Sequence, residues 1–368
     1  MLRCLPAVLL TVFTFQSASA DEDFRPLFNG KDFSGWVRTN TPAETWTFQD
    51  GLLVCSGKPI GEIRTDRMYQ NFILELEWRH MVPRGNAGVF IWADDITARG
   101  VPFHRGIEVQ VLENAYGNNR SHTTHGDIFP IHGAKMTPVN GRGGSRAFPT
   151  EERSNPSPEW NHYRIECRDG NISLAVNGKV VTRGTDCWPR KGYICLESEG
   201  GIVHYRNVRL RELPDTPIED DQVAIEDRGY RSVYSGLDLR GWQTDSPDAW
   251  SANDWVLKHS GTDASTLQLK ETIERIGAVV DVRLAADANA SIQVGSHQLN
   301  LADASVKSLL VESGRWNRFE FTEQDEKPVV LINGTPHRLR AGTDESGTVI
   351  LTASGSVDFC NIYVRSLP

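Results

Sequence analysis

The stretch Glu159–Val181, EWNHYRIECRDGNISLAVNGKVV, decides the fold. Apolar and polar residues alternate through YRIEC and again through ISLAV, the period of a strand with one buried face. Asn177-Gly178 separates ISLAV from KVV, and Asn-Gly between two such runs is a strong hairpin signal. The same frame returns at Arg315–His337 as RWNRFEFTEQDEKPVVLINGTPH. There Trp316-Asn317 and Asn333-Gly334 stand in register with Trp160-Asn161 and Asn177-Gly178. A chain that repeats its own hairpin in this way is a tandem duplication of one β domain.

Working outward, the other blocks repeat in the same order. LFNGKDFSGW (Leu27–Trp36) returns as VYSGLDLRGW (Val233–Trp242), TWTFQDGLLVCSG as AWSANDWVLKHSG, and NAGVFI as NASIQV. The ending GYICLESEGGIVHYRNVRLREL returns as GTVILTASGSVDFCNIYVRSLP. Between the copies, PDTPIEDDQVAIEDRG (Pro214–Gly229) is acidic, carries prolines and has no apolar period, as a linker does. Long helical periods are absent, and short strands with frequent turns predict an all-β chain of two tandem jelly-roll sandwiches. The expected organisation is a leader over 1–20, a first domain over 21–213, the linker over 214–229 and a shortened second copy over 230–368.

Bulk properties narrow the function. The chain has 368 residues, 39% of them hydrophobic, and a formal net charge of -9. That charge and the lack of any basic tract argue against a nucleic-acid or anionic-membrane partner. MLRCLPAVLLTVFTFQSASA has a basic start, an apolar centre and the small-residue exit Ala18-Ser19-Ala20, the pattern of a secretory signal. No apolar run is long enough for a membrane span, so a secreted or periplasmic protein is expected. Export leaves Cys55, Cys167, Cys187, Cys195 and Cys360, an odd number. Cys187 could bridge to Cys167 or Cys195, or all five could be buried apolar thiols. No C-x-x-C pair offers a cysteine-based zinc site.

Duplication supplies an internal control. Trp36 with Trp242, the Trp-Asn pairs and the Asn-Gly turns are kept in both copies and read as packing and turn residues. From NAGVFI to EWN the first copy is longer than the second by about fifty residues. This excess carries GIEVQVLENAYG, SHTTHGDIFPIHGAKM and NGRGGSRAFPTEERSNPSP. Chemistry is therefore expected in the first domain, and deletion of 214–368 is expected to spare it. Strand parity puts Glu75, Glu77 and Arg79 on one face of LELEWR, Glu108 and Gln110 on one face of GIEVQV, and Asn86, Gly88, Phe90 and Trp92 on one face of NAGVFIW. Polar groups over an aromatic floor suit a sugar, so Glu77, Arg79, Gln110, Phe90, Trp92 and His132 are the expected substrate contacts. Alternating Glu and Arg also suits a solvated face with cross-strand ion pairs, and Asp281 and Arg283 stand near the equivalents of Glu77 and Arg79. In the histidine segment, His122, His125 and Asp127 together with Glu108 form a possible divalent-metal set; a metal-free base and plain loop structure are equal alternatives.

The blocks PLFNGKDFSGW, YQNFILELEWR, GNAGVFI, GIEVQVLEN, HGDIFPIHGA, EWNHYRIECRDGNISLAVNGK and GYICLESEGGIVHYRNVRL resemble the 3-keto-disaccharide hydrolase domain family over about residues 24–213. The second copy resembles it more weakly, lacking the GIEVQ strand and the HGDIF segment. The resemblance implies a concanavalin A-like fold and an exported enzyme that cleaves glycosides already oxidised at C3, alongside a sugar 3-oxidoreductase that makes the ketone. A C3 ketone acidifies the C2 proton, so a base can remove it and the group at C1 can leave by elimination, with water completing a net hydrolysis. Such chemistry needs a base, a positive group or metal near the C3 oxygen, and an acid near the leaving oxygen. Glu108, His125, Asp127 and Lys135 are the expected catalytic groups. The rival readings are a non-catalytic carbohydrate-binding module and a conventional two-carboxylate glycoside hydrolase.

Overall fold

The computed structural model of the protein describes residues 23–325, 327–339 and 346–367, so the expected leader lies outside the described residues. The alternating runs form strands almost throughout, in two face-to-face pairs of sheets. In the first sandwich the larger sheet runs in the order Lys135–Pro138, Lys179–Trp188, Asn171–Val176, Asn161–Arg168, Phe72–His80, Val203–Glu212, Leu52–Cys55, Trp46–Gln49. The smaller sheet runs Trp36–Thr39, Gly61–Thr65, Tyr193–Ser198, Asn86–Ala93, Gly106–Leu112, Ile128–Ile131. The second sandwich repeats both orders with Trp250–Asn253 to Thr335–Arg338 in its larger sheet and Trp242–Gln243 to His297–Asn300 in its smaller one. It lacks the counterparts of Ile128–Ile131 and Lys135–Pro138, the two edge strands that the long insert contributes.

Each sandwich has its own apolar core, one around Leu76, Trp78, Val109 and Leu196, the other around Val280, Phe319, Leu351 and Phe359. The motifs kept in both copies hold these cores in register. Asn177 and Gly178 both have positive φ, 47° and 87°, as do Asn333 and Gly334 at 52° and 86°. A two-residue turn with φ positive at both positions matches the twist of its strands, and these residue types adopt it at little cost. The turn asparagine then ties itself to the Trp-Asn pair: Asn177 Nδ2 donates to Asn161 Oδ1 at 3.0 Å, and Asn333 Nδ2 to Asn317 Oδ1 at 2.9 Å. Trp36 Nε1 donates to the Leu27 carbonyl as Trp242 Nε1 does to that of Val233. All five described cysteines are free and buried, so of the two readings of the cysteines it is the buried apolar thiols that hold and no bridge from Cys187 forms. The acidic segment between the sandwiches is fixed along the first one: Asn71 donates to the Pro214 carbonyl, Arg190 to that of Pro217, and Arg64 pairs with Asp227.

Two expectations from strand parity fail, each for a topological reason. Glu77 and Arg79 do face away from Trp78, but their strand belongs to the larger sheet, so the core separates them from Glu108 and Gln110. Glu77 instead accepts from Arg206 Nε at 2.7 Å and Asn207 Nδ2 at 2.6 Å, and Arg79 lies over the Trp160 ring. Trp92 does not share a face with Phe90. Pairing with the neighbouring strand slips between Cys195↔Phe90 and Tyr193↔Ala93, and Trp92 takes φ 55° at this bulge. An extra residue in one strand reverses the facing of the residues after it. The Trp92 ring therefore enters the core, edge-on to Phe72, with Nε1 donating to the Gln70 carbonyl.

Glu77→Gln, which weakens a partly exposed ion pair, and Arg79→Ala, which gives up a contact over the Trp160 ring, should each lower stability by no more than about 1 kcal/mol. Both should leave turnover unchanged. Denaturant unfolding and steady-state rates of the two variants check this, and a large loss of rate would return these residues to the site.

A candidate active site on the smaller sheet

Alternation along four adjacent strands places polar side chains on the outer face of the smaller sheet while Ile63, Leu196, Val89 and Val109 enter the core. Cross-strand pairing aligns Glu62 with Glu197 and Phe90 with Glu108, while Gly88 stands opposite Gln110. Three carboxyl groups, Glu62, Glu108 and Glu197, thus share one face, and all three residues are buried. Glu199 lies at the end of the same row, hydrogen-bonded by Asn86 Nδ2. Gly88 occupies the gap between two of the acids: a Cβ there would sit 3.0 Å from both Glu108 Oε1 and Glu197 Oε2. Here the missing side chain is what lets the carboxyls converge.

Burial disfavours charge, and crowding of like charges disfavours it further. Glu108 is held well above the usual carboxylate range, first by burial and then by Glu199. Glu197 is raised in the same way, by burial and then by Glu108. For Glu199, burial outweighs the opposing Asn86 bond and moves the pKa to about 7. At neutral pH this row therefore holds protons, the state a general acid needs.

Against Glu62 lies His104, carried by the segment between Asn86–Ala93 and Gly106–Leu112. Its backbone N–H donates to Glu62 Oε2 at 2.8 Å, and its Nδ1 is hydrogen-bonded to the same oxygen. His104 Nε2, Glu62 Oε1 and Glu197 Oε2 are buried without a partner. A carboxylate on one imidazole nitrogen fixes the tautomer and leaves the other nitrogen to act. Cys195 Sγ lies 3.8 Å from His104 Nδ1, and burial followed by the charge of Glu62 pushes its thiol well above the usual range. Ligand atoms of Glu62, His104 and Cys195 all lie within 4.8 Å of one another. This oxygen, nitrogen and sulfur set, with Glu62 Oε1 unpartnered, fits a borderline divalent ion such as zinc.

The insert closes one side. Phe90, Phe103 and His132 form a run of rings, with centroids 6.1 and 6.4 Å apart. Arg146 lies over Phe129 and donates to Gln110 Oε1 at 3.2 Å and to Asp127 Oδ2 at 3.0 Å. Glu108, Gln110, Phe90 and His132 therefore come together as expected from the sequence. Asp127 is fully buried, and Thr123 and Arg146 occupy its oxygens, so it anchors the guanidinium. The expected metal set does not assemble around Glu108. His125 Nδ1 accepts from the Ser154 N–H while its Nε2 faces Glu152, and His122 bonds to Asn119 and Ser121. Lys135 is exposed on an edge strand of the larger sheet, over Trp188.

Glu62, His104, Cys195, Glu197, Glu199 and Arg146 were not among the residues singled out by sequence. A signal for the carboxyls was present in the duplication. The aligned blocks put Thr266, Thr352 and Ser354 where Glu62, Glu197 and Glu199 stand, and Ile350 in place of Cys195. The second copy lost these groups by substitution within strands it retained, which a search confined to the insert passes over.

Gly88→Ala should leave the fold intact and impair turnover by wedging Glu108 from Glu197; an unchanged rate would show that their convergence is unimportant. Glu199, raised in the fold, should contribute stability that is full below its ordinary value near 4.5 and lost as pH rises through about 7. Glu199→Gln should accordingly gain on the wild type in thermal midpoint as pH goes from 5 to 8, roughly the window that the shift defines. Parallel stability curves for the two proteins would contradict the shift.

The match to known proteins bears on what this site acts upon. The family described as 3-keto-alpha-glucoside-1,2-lyase-like domain matches residues 23–211, just over half of the chain. No curated protein matches. Among solved structures, a protein described as a glycosyl hydrolase from Parabacteroides distasonis is 22% identical at a TM-score of 0.41, covering 52% of this chain and 95% of its own. The carbohydrate-binding module CBM66 from Bacillus subtilis is 14% identical at 0.36, covering 48% and 96%. A β-glucanase from Bacillus licheniformis is 14% identical at 0.36, covering 52% and 97%. Among the described residues no helix is long and apolar enough to cross a membrane.

Proposed function

The chain belongs to the 3-keto-alpha-glucoside-1,2-lyase-like family, a glycoside-acting group, and on that premise we propose that it cleaves glycosides oxidised at C3 by elimination across C1–C2. The observation that carries this reading is the buried Glu62–His104 pair, whose free Nε2 shares one sheet face with two carboxyls held protonated. His104 Nε2 takes the proton from C2, acidified by the neighbouring ketone, while Glu62 holds Nδ1 and balances the imidazolium that forms. Electrons from the C2–H bond move into an enediolate whose negative oxygen is at O3, and the Arg146 guanidinium is the positive group available to it. As the C1–O bond breaks, the proton held by Glu108 passes to the leaving oxygen. The products are an unsaturated keto-sugar and the free alcohol, and water added across the new double bond gives the hydrolysed sugar. Were a divalent ion held by Glu62, His104 and Cys195 instead, it would supply Lewis acidity at the keto oxygen, and His104 would then serve as a ligand in place of the base. Phe103 and His132, backed by the buried Phe90, offer the apolar faces on which a pyranose packs.

A partner activity follows from the substrate: an enzyme that oxidises a sugar at C3 must act first. The leader-like start supports an exported protein, so both would work outside the cytoplasm.

Purified protein incubated with a 3-keto-glucoside should release the aglycone. His104→Asn and Glu62→Gln should lower the rate by about 10²–10⁴, the usual contribution of general acid–base groups. Loss of release on chelation, restored by zinc, would support the metal set. Turnover of the unoxidised glycoside, or binding of it without any turnover of the keto form, would overturn the proposal in favour of a two-carboxylate hydrolase or a binding module.

A further inference from the structure

The second sandwich has lost the row of carboxyls, yet its larger sheet is pressed against the first sandwich, at Asn40, which bonds Asn361 and Ser232, and above all at one further segment. Residues 94–105 form a hairpin with a bridge between Thr97 and His104, closed at its base by the Asp94–Arg105 ion pair. It lies on the face that carries Glu62 and Arg64, where Arg64 Nε donates to the Asp95 carbonyl at 2.9 Å. The polar groups of its tip are met by the second sandwich. Gly100 N–H donates to Asp281 Oδ2 at 2.8 Å, and Arg318 Nη2 donates to the Thr97 carbonyl at 2.9 Å. Asn361 Nδ2 donates to the carbonyls of Ala98 and Val101 at 3.0 and 2.9 Å, and Tyr363 Oη bonds Thr97 Oγ1 at 2.8 Å. Ile96 packs with Tyr230, Val279 and Tyr363 in a small apolar cluster of its own. Gly100 has φ +73°, and a Cβ there would lie 2.3 Å from the Trp316 ring.

The socket is an adaptation of a feature both copies possess. In the first, Asn207 at φ 51° donates to Glu77 on the outer face of the larger sheet. In the second, Asn361 at φ 49° donates to Asp281 at the matching place, and Arg318 braces the carboxylate with Nε at 2.7 Å. Glu77 is partly exposed, whereas Asp281 and Asn361 are buried under the hairpin. Groups buried this way lose far more when a partner is removed than exposed ones do.

We infer that Asp281, Arg318, Asn361 and Tyr363 of the second sandwich are positioning residues for the first, holding the 94–105 hairpin so that His104 meets Glu62. The second copy then completes the site without contributing a reacting group. The effect on turnover rests on the role of His104 proposed above; the positioning itself does not.

The test uses the full chain with Asn361→Ala, which removes both carbonyl contacts together with the bonds to Asp281 and Asn40, and Tyr363→Phe, which removes one hydroxyl and leaves those bonds in place. Labelling of each cysteine by a small thiol reagent, read by mass spectrometry, reports local opening. Cys195 is buried beside His104, and Cys55 and Cys167 lie in the first core as controls for global unfolding. Cys195 should react about tenfold faster in Asn361→Ala, in line with the hydrogen bonds lost by the hairpin, and less so in Tyr363→Phe. Cys55 and Cys167 should remain protected, and kcat should fall with KM nearly unchanged. Cys195 as protected as in the wild type in both variants would overturn the inference. Faster labelling with full turnover would uphold the positioning and instead remove His104 from the chemistry. If Asn361→Ala unfolds, exposing the control cysteines, Tyr363→Phe decides by the same criteria.

Discussion

Crowding of Glu62, Glu108 and Glu197 on one buried sheet face is the constraint on which the rest of this structure turns. Carboxylates so close cannot all be charged in a poorly solvated place, so protons are retained or a hydrogen-bonding partner is brought in. Both responses are visible. Glu108 and Glu197 are displaced toward their neutral forms, while Glu62 takes a histidine. The arrangement also suits a glycine at 88, since a Cβ there would crowd both Glu108 and Glu197 at 3.0 Å.

The histidine has to come from outside the sheet, because no strand of that face places an imidazole opposite Glu62. It arrives on a hairpin with little apolar substance of its own, and such a segment is stable only if something covers it. The second sandwich supplies the cover. Gene duplication thus provided more than a spare domain: its smaller sheet lost the acidic row, and the outer face of its larger sheet became a socket. On the first sandwich the equivalent face carries a solvated ladder of ion pairs such as Glu77–Arg206.

Much of the fold was legible because its signals are local. YRIEC and ISLAV alternate as strands must, and Asn177-Gly178 names its own turn. Repetition then showed that Asn161 and Trp36 belong to the architecture, since both copies keep them. Of the candidate site, Glu108, Gln110 and Phe90 were readable from parity along single strands, and His132 from the histidine-rich segment. Glu62 and Glu197 were not singled out, although the duplicated blocks carried the contrast with Thr266 and Thr352. Trp92 misled because a bulge changes parity without any mark in the residue pattern. The histidine-rich segment drew attention through composition, yet His125 is satisfied by the Ser154 backbone and His122 by its neighbours in the loop.

By itself the amino-acid sequence determined the all-β class, the duplication and the family, because strand period, turn chemistry and repeated motifs depend on residues near one another in the chain. Only the tertiary structure decided which acids meet, that His104 rather than His125 joins them, and that Asp281, Arg318, Asn361 and Tyr363 meet the hairpin. These are contacts between segments far apart in sequence, selected by sheet order and burial. The physical reason is that a side chain's charge state and reach are properties of its surroundings, and those surroundings exist only once the sheets have packed.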